Sequence, residues 1–214
     1  MKIINPIVVF ESVDGVKLCK NIEDYGRTCY KSQGKIGEDT YKTFIRGAIN
    51  RGHFSILEHE KMTCKVVCDR GVTHEIVRHR IGSYSQESTR YVNYKEGLKV
   101  IKPFMLSEVQ EPIWRSAIEA AEKHYTDLIL CGARPEEARS VLPNALASEI
   151  VITYNMREWR HFLYMRGAKG AHPQIREIAV MMLDELKDYV PIIFEDFIVD
   201  RDNLIITTER LPAS

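Results

Sequence analysis

Residues 78 to 91 read Arg78-His79-Arg80-Ile81-Gly82-Ser83-Tyr84-Ser85-Gln86-Glu87-Ser88-Thr89-Arg90-Tyr91, three arginines and a histidine followed by a run of hydroxyl, carboxamide and carboxylate side chains. The density suits a polyanionic ligand. Arginine presents a planar fork that meets phosphate oxygens two at a time, and serine, threonine and glutamine add neutral donors that fix orientation without more charge. A phosphate joined to a heterocycle is the simplest guest. Val72, Ile76 and Val77 recur at helical spacing, which predicts a helix closed by Arg78 to Arg80, with a loop from Gly82 onward. A solvated charge run competes with this reading, because Glu75 lies four residues before His79 and Glu87 lies close to Arg90.

Upstream, Lys61 to Cys68 alternates around Met62, Cys64 and Val66, which predicts a half-buried strand feeding the motif through a turn at Asp69-Arg70-Gly71. Before that, Glu38-Asp39-Thr40 starts a helix with Phe44, Ile45, Ala48 and Ile49 on one stripe and Gly52 as its stop, so His53 emerges past a helix end. Ser55 and Glu58 have the spacing of a capping box. Nearest the start, residues 7 to 12 read as a strand, Asp14-Gly15 as a turn, and Leu18 to Tyr30 as a helix.

Downstream, Leu98 to Ile101 is a short strand and Glu111 to Leu130 a long amphipathic helix. Pro135-Glu136-Glu137 opens a short helix that includes Arg139 and stops at Pro143. Ile150 to Tyr154 reads as a buried strand. Arg157 to Arg166 reads as a helix with Trp159, Phe162, Leu163 and Met165 largely inward, and Pro173 to Tyr189 as the last helix. Strands and helices mix without the regular alternation of a doubly wound sheet, which gives an α+β fold: one domain over residues 1–214, a mixed sheet flanked by helices.

Lysine plus arginine and aspartate plus glutamate are both 30, for zero net charge. The clustered arginines are therefore a local feature, and broad electrostatic adhesion to nucleic acid or membrane is not expected. Five cysteines without paired C-x-x-C spacing suit packed thiols in a reducing, cytoplasmic setting. No apolar signal region or run of about 18 apolar residues is present.

Dinucleotide glycine fingerprints, P-loops, HExxH motifs and four-ligand cysteine clusters are absent. His53, Glu58 and His59 do not share a helical face, so no metal site is expected, and for His74 and His79 a structural or hydrogen-bonding role is the default. Ser88 has no obvious activating base, and an unassisted hydroxyl is a poor nucleophile near neutral pH. Binding is favoured over attack. Two rival classes stay open: an RNA- or nucleotide-binding module using Tyr84, Tyr91 and Tyr94 to stack bases, and a metal-dependent hydrolase using the histidines.

The Arg78-His79-Arg80 triplet, seven intervening residues and Ser88, followed by Arg90-Tyr91, resemble the signature of flavin-dependent thymidylate synthases. The resemblance extends upstream to Gly52-His53-Phe54-Ser55-Ile56-Leu57-Glu58-His59. Downstream it takes in Ala138-Arg139-Ser140-Val141-Leu142-Pro143, Asn155-Met156-Arg157 and Phe162-Leu163-Tyr164-Met165-Arg166. It implies conversion of dUMP to dTMP with FAD as cofactor, 5,10-methylenetetrahydrofolate as carbon donor and NADPH as reductant, in a cytoplasmic homotetramer with shared active sites and no nucleic-acid partner.

Position by position, the resemblance implies dUMP contacts at Arg78, Gln86, Glu87, Ser88, Thr89, Arg90, Arg139 and Arg166. It implies FAD contacts at Ser55, Arg78, His79, Arg80, Gln86, Asn155, Arg157 and His161, with His53 on the flavin and folate side. Arg166 matches the position from which a guanidinium beside the uracil ring would favour its anionic form and load charge onto C5. Some positions depart from the pattern. Glu75 stands where many members carry glutamine, and a carboxylate there needs Arg78 or a proton to offset repulsion from phosphate. Gly170 replaces a histidine found in some members, His161 stands where others use asparagine, and Ser85-Gln86 replaces the frequent Asn-Glu.

Overall fold

A computed structural model describes residues 1–210. In chain order its elements are β1 (Lys2–Ile4), β2 (Ile7–Phe10), α1 (Gly15–Thr28), α2 (Thr40–Asn50), β3 (Lys61–Asp69), α3 (Arg70–Ile76), β4 (Ser83–Gln86), β5 (Lys99–Ile101), α4 (Gln110–Leu130), α5 (Pro135–Ala138), β6 (Ala147–Asn155), α6 (Met156–Arg166), α7 (Pro173–Tyr189), α8 (Pro191–Phe194), β7 (Ile198–Asp200) and β8 (Ile205–Thr207). The fold is α+β. A four-stranded sheet has the order β2-β3-β6-β4; β1 pairs with β5 in parallel, and β7 with β8 antiparallel.

Two compact units make up the chain. The first comprises Met1–Ile7, Val66–Arg78 and Tyr84–Val151, and the second Val8–Lys65, His79–Ser83 and Ile152–Ser214.

In the first unit the core gathers Leu98, Val100, Ile118 and Leu146, against which Ile3, Tyr94 and Trp114 pack. The Met1 ammonium meets Glu122 at 2.7 Å, and the other Glu122 oxygen accepts from the Leu98 N–H, so α4 fastens the start of the chain beside β5. Only Ile118 and Tyr125 of α4 are buried, while Val109, Ile113 and Leu130 are exposed.

In the second unit the core is aromatic. Phe10 and Tyr154 pack on Trp159 at ring-centroid distances of 5.0 and 4.6 Å, and Trp159 Nε1 donates to the Met62 carbonyl. Aromatic pairs of this kind contribute about 0.5–1.5 kcal/mol each beyond the area they bury. Gly82 is obligatory here: a Cβ on it would stand 2.3 Å from the Tyr154 ring.

Several elements differ from the sequence expectation. Asp14 is not a turn residue but the N-cap of α1, accepting from the Lys17 N–H, so Gly15 is already helical. Asp69 does the same for α3, accepting from Val72 N–H, and leaves no turn at Arg70-Gly71. No capping box forms at Ser55 and Glu58, because residues 54–59 are a 3₁₀ segment whose N-cap is His53. Arg139 begins a 3₁₀ turn beyond α5. Met165 is exposed, whereas Arg160 is fully buried.

The motif itself departs most. α3 stops at Ile76, so Arg78 to Arg80 follow the helix instead of closing it, and Ser83–Gln86 is strand β4 instead of loop. Tyr84 is the one residue of these four with a strong strand preference, and pairing beside β6 satisfies the backbone groups of all of them. β1, α8 and the β7–β8 pair lie in segments for which the sequence suggested no element.

Candidate active site

The arginine motif contributes to both units. Of the residues implied as ligand contacts, Glu75, Arg78, Gln86, Glu87, Ser88, Thr89, Arg90 and Arg139 belong to the first unit. His53, Ser55, His79, Arg80, Asn155, Arg157, His161 and Arg166 belong to the second.

In the first unit, β4 delivers Gln86 inward, where its Nε2 donates to Thr73 Oγ1 at 2.9 Å and Ser148 Oγ at 3.3 Å. The next residue turns the other way: the Glu87 carboxylate accepts from the Tyr94 hydroxyl and from the Glu149 N–H. Burial, and then the adjacent carboxylate, push the Tyr94 hydroxyl well above its ordinary pKa, so it stays a donor at neutral pH. Beyond it the chain folds over Ser88, whose carbonyl accepts from the Tyr91 and Val92 N–H groups and whose Oγ accepts from the Arg90 N–H at 3.3 Å. Among the described residues no base is a hydrogen-bond partner of Ser88 Oγ, which leaves its hydroxyl unactivated there.

Arg90 lies over the Tyr91 ring and 3.9 Å from Glu136, too far for a hydrogen bond. The Glu87–Arg90 pairing of the competing charge-run reading does not form; Glu87 bonds Tyr94 instead. Arg78 and Arg139 are exposed, and neither side chain has a hydrogen-bond or ion-pair partner among the described residues. Thr89 is buried and Glu75 is half-buried.

In the second unit, strand β6 runs straight into α6. Asn155 is the N-cap, its Oδ1 accepting from the Glu158 N–H at 2.8 Å. This fixes the first turn and holds the Glu158 side chain inside, where Oε1 lies 2.8 Å from His79 Nδ1. The opposite nitrogen, His79 Nε2, accepts from Arg166 Nε at 3.0 Å. His79 is buried and packs on Phe162 at 5.0 Å and edge-on to His161 at 5.5 Å. The central histidine of the motif therefore points into the protein while Arg80 stays exposed, without a hydrogen-bond or ion-pair partner among the described residues. Arg157 pairs with Glu58 at 2.6 Å; His53 and Ser55 are exposed.

His79, Glu158 and His161 bring ligand atoms within 4.8 Å of one another, a spacing a metal ion could use. Both His79 nitrogens are already engaged by Glu158 and Arg166, so the cluster reads as a hydrogen-bond network. Burial holds the His161 imidazole below the ordinary histidine range, against the pull of nearby Glu158.

Glu158, Thr73, Ser148 and the Glu87–Tyr94 bond escaped the sequence reading. Glu158 follows Asn155 by three residues, a helix-start spacing. Its reach to His79, 79 positions away, left no sequence trace.

Comparison with known proteins agrees with the family resemblance of the sequence. The family profile described as "Thymidylate synthase complementing protein" matches residues 17–192. The flavin-dependent thymidylate synthase of Mycobacterium sp. (strain KMS) is 36% identical over 199 residues, covering 82% of this chain and 78% of that protein. The Mycobacterium tuberculosis (strain ATCC 25177 / H37Ra) protein of the same name is 36% identical over 195 residues, with the same coverage. In fold, the chain resembles a UMP/dUMP methylase, PolB, from Streptomyces cacaoi, solved with 5-Br dUMP, at TM-score 0.77 and 23% identity over 91% of this chain and 96% of that one.

Proposed function

This chain belongs to the thymidylate synthase complementing protein family, with flavin-dependent thymidylate synthases among its relatives, and on that premise we propose how its residues divide the work. The reaction is the reductive methylation of dUMP to dTMP, with FAD as cofactor and 5,10-methylenetetrahydrofolate and NADPH as co-substrates. The carrying observation is the state of the motif arginines. In a chain with equal numbers of acidic and basic residues, Arg78, Arg80 and Arg139 are exposed without an acidic partner among the described residues. A solvated charge run would pair them internally; a phosphate site leaves them open.

For dUMP, Arg78, Arg90 and Arg139 supply charge to the phosphate, and the Ser88 turn adds neutral donors. Gln86, already anchored by Thr73 and Ser148, holds the β4 backbone in place. Glu87, bound to Tyr94, acts through its backbone. Arg166 is the catalytic residue: its guanidinium donates toward the uracil carbonyl edge and stabilises charge that develops on the ring. Ser88 holds substrate and does not attack it.

The donor set of the second unit fits FAD. Arg80 offers an open guanidinium to a pyrophosphate, and Ser55, Asn155, Arg157 and His161 offer neutral or charged hydrogen-bonding groups. When bound, FAD supplies the hydride that completes the methyl group. His53 lies on the flavin and folate side. His161, kept neutral by burial, adds no further positive charge there.

A homotetramer follows the family resemblance and is supported by the exposed apolar side chains of α4, Ile113 and Leu130, and of its N-cap, Val109. Both residue sets need not then come from one subunit. Residues 1–214 are read as one domain because the chain passes between its two units inside strands β3 and β6. A cytoplasmic location accords with the free cysteines and with helices none of which is long and apolar enough to cross a membrane, among the described residues.

The test is the visible spectrum of the purified protein together with NADPH oxidation. FAD released on denaturation, and an oxidation rate that responds to dUMP, are the expected results. A colourless protein that cannot be reconstituted with FAD would sink the reading.

A further inference from the structure

We propose that Glu158 is a positioning residue for the methylation, acting on Arg166 through a neutral His79 locked in a single tautomer. This rests on the reading of Arg166 as the group that meets the uracil ring. The geometry leaves little choice of protonation. Arg166 Nε carries a hydrogen in every state of the guanidinium, so His79 Nε2, 3.0 Å away, has to be the bare nitrogen that accepts it. The ring proton then sits on Nδ1 and is donated to Glu158 Oε1 at 2.8 Å. A doubly protonated ring would set two donors against each other at Nε2 and break the contact. A carboxylate behind a histidine imposes one tautomer and one ring orientation, the logic by which such a partner orients a catalytic imidazole or a metal-bound one.

The surroundings make the arrangement stiff. The backbone N–H of Glu158 is capped by Asn155, its side chain is buried, and His79 is clamped by Phe162. Arg166 ends α6, where a long side chain would otherwise sample many rotamers. Binding its Nε side to His79 fixes the plane of the guanidinium and so the direction in which its terminal nitrogens point. Glu158, which has no contact with substrate in this scheme, thus affects the chemical step through orientation.

Protein carrying ¹⁵N-labelled histidine tests the tautomer directly in the wild type, with no reliance on turnover. His79 should show a protonated Nδ1 and an acceptor-type Nε2, and Glu158→Leu should convert it to the Nε2-protonated form or a mixture. In steady-state assays Glu158→Leu should lower kcat about 10- to 100-fold, the range for losing a partner that orients a working side chain, with FAD content and the KM for dUMP little changed. Glu158→Gln, whose amide oxygen can still accept from Nδ1, should recover most of the loss.

A wild-type His79 that is protonated at Nε2, or doubly protonated, overturns the proposal. So does a normal kcat in Glu158→Leu when Arg166→Lys is inactive. Should Glu158→Leu fail to fold, the wild-type tautomer and the Glu158→Gln rates still decide it. If Arg166→Lys turns over normally, the catalytic reading of Arg166 falls instead, while the ¹⁵N spectrum separately reports whether the lock exists.

Discussion

Arg160 lies fully buried in α6 with two guanidinium nitrogens on the two carboxylate oxygens of Asp196, at 2.7 and 2.8 Å. It also stacks between the Phe54 and Phe197 rings, with its guanidinium carbon 5.4 and 4.7 Å from their centroids. The helix that carries Asn155 at its cap and Arg166 at its end is anchored at its middle by this pair.

Removing one partner of such a pair strands a buried charge. Asp196→Ala should therefore cost about 3–5 kcal/mol, read as a lowered midpoint in chemical denaturation. Asp196→Asn should lose less, because it keeps the shape and one acceptor for Arg160.

The pair also sets an acid limit. Burial pushes the Asp196 carboxyl up, but the Arg160 and Thr208 hydrogen bonds outweigh it and hold the carboxyl below its ordinary value. A depressed folded-state pKa means the stabilisation is complete above the ordinary aspartate range and drains away as pH falls through the lowered value. Thermal midpoints measured from pH 6 downward should decline in the wild type, and the decline should be shallower in Asp196→Asn. Parallel curves for the two proteins would show that other carboxylates control acid unfolding.

Arg166→Lys keeps the charge but loses the planar fork and the Nε–H that meets His79. On the catalytic reading, dTMP formation at saturating dUMP should fall about a hundredfold or more, equivalent to about 3 kcal/mol of transition-state stabilisation, with FAD retained. A helix-terminal cation alone would be worth only about 0.3–1 kcal/mol of stability and little in rate. Melting temperature, bound FAD and dTMP production, measured together for Arg166→Lys and Arg166→Ala, separate the two.

Ser88→Ala removes a hydroxyl whose hydrogen bond in this structure is to the Arg90 N–H. Binding of dUMP should weaken while turnover at saturating dUMP remains measurable. Complete loss of turnover, with folding and FAD content intact, would make Ser88 the nucleophile.

Gly82→Ala tests the close approach after the motif. Its Cβ would fall 2.3 and 2.4 Å from Tyr154 ring carbons, so the ring or the backbone has to move. The expected cost is about 1–3 kcal/mol, or a drop of about 2–4 °C in Tm per kcal/mol for a chain of this size. An unchanged Tm would mean that Tyr154 relaxes freely.

The elements that the sequence determined by itself are those whose signal is local. The alternation of Met62, Cys64, Val66 and Cys68 gives the buried face of β3, and Pro173 to Tyr189 bounds α7 as found. The density of arginine in a chain of zero net charge already singled out residues 78–91 as suited to a polyanionic ligand. Only the tertiary structure decided where those side chains point. Arg78 and Arg80 are exposed while the histidine between them is buried, because the Tyr154, Trp159 and Phe162 cluster offers an aromatic wall and Glu158 offers an acceptor far along the chain. Strand β4 arises in the same way, since pairing beside β6 satisfies backbone groups that its own side chains would leave in a loop. Burial of Arg160 depends on Phe54 and the adjacent Asp196 and Phe197 converging from two distant segments. Propensity and periodicity report each residue's neighbours along the chain, whereas the partner that makes a buried charge or a single histidine tautomer tolerable is supplied by the fold.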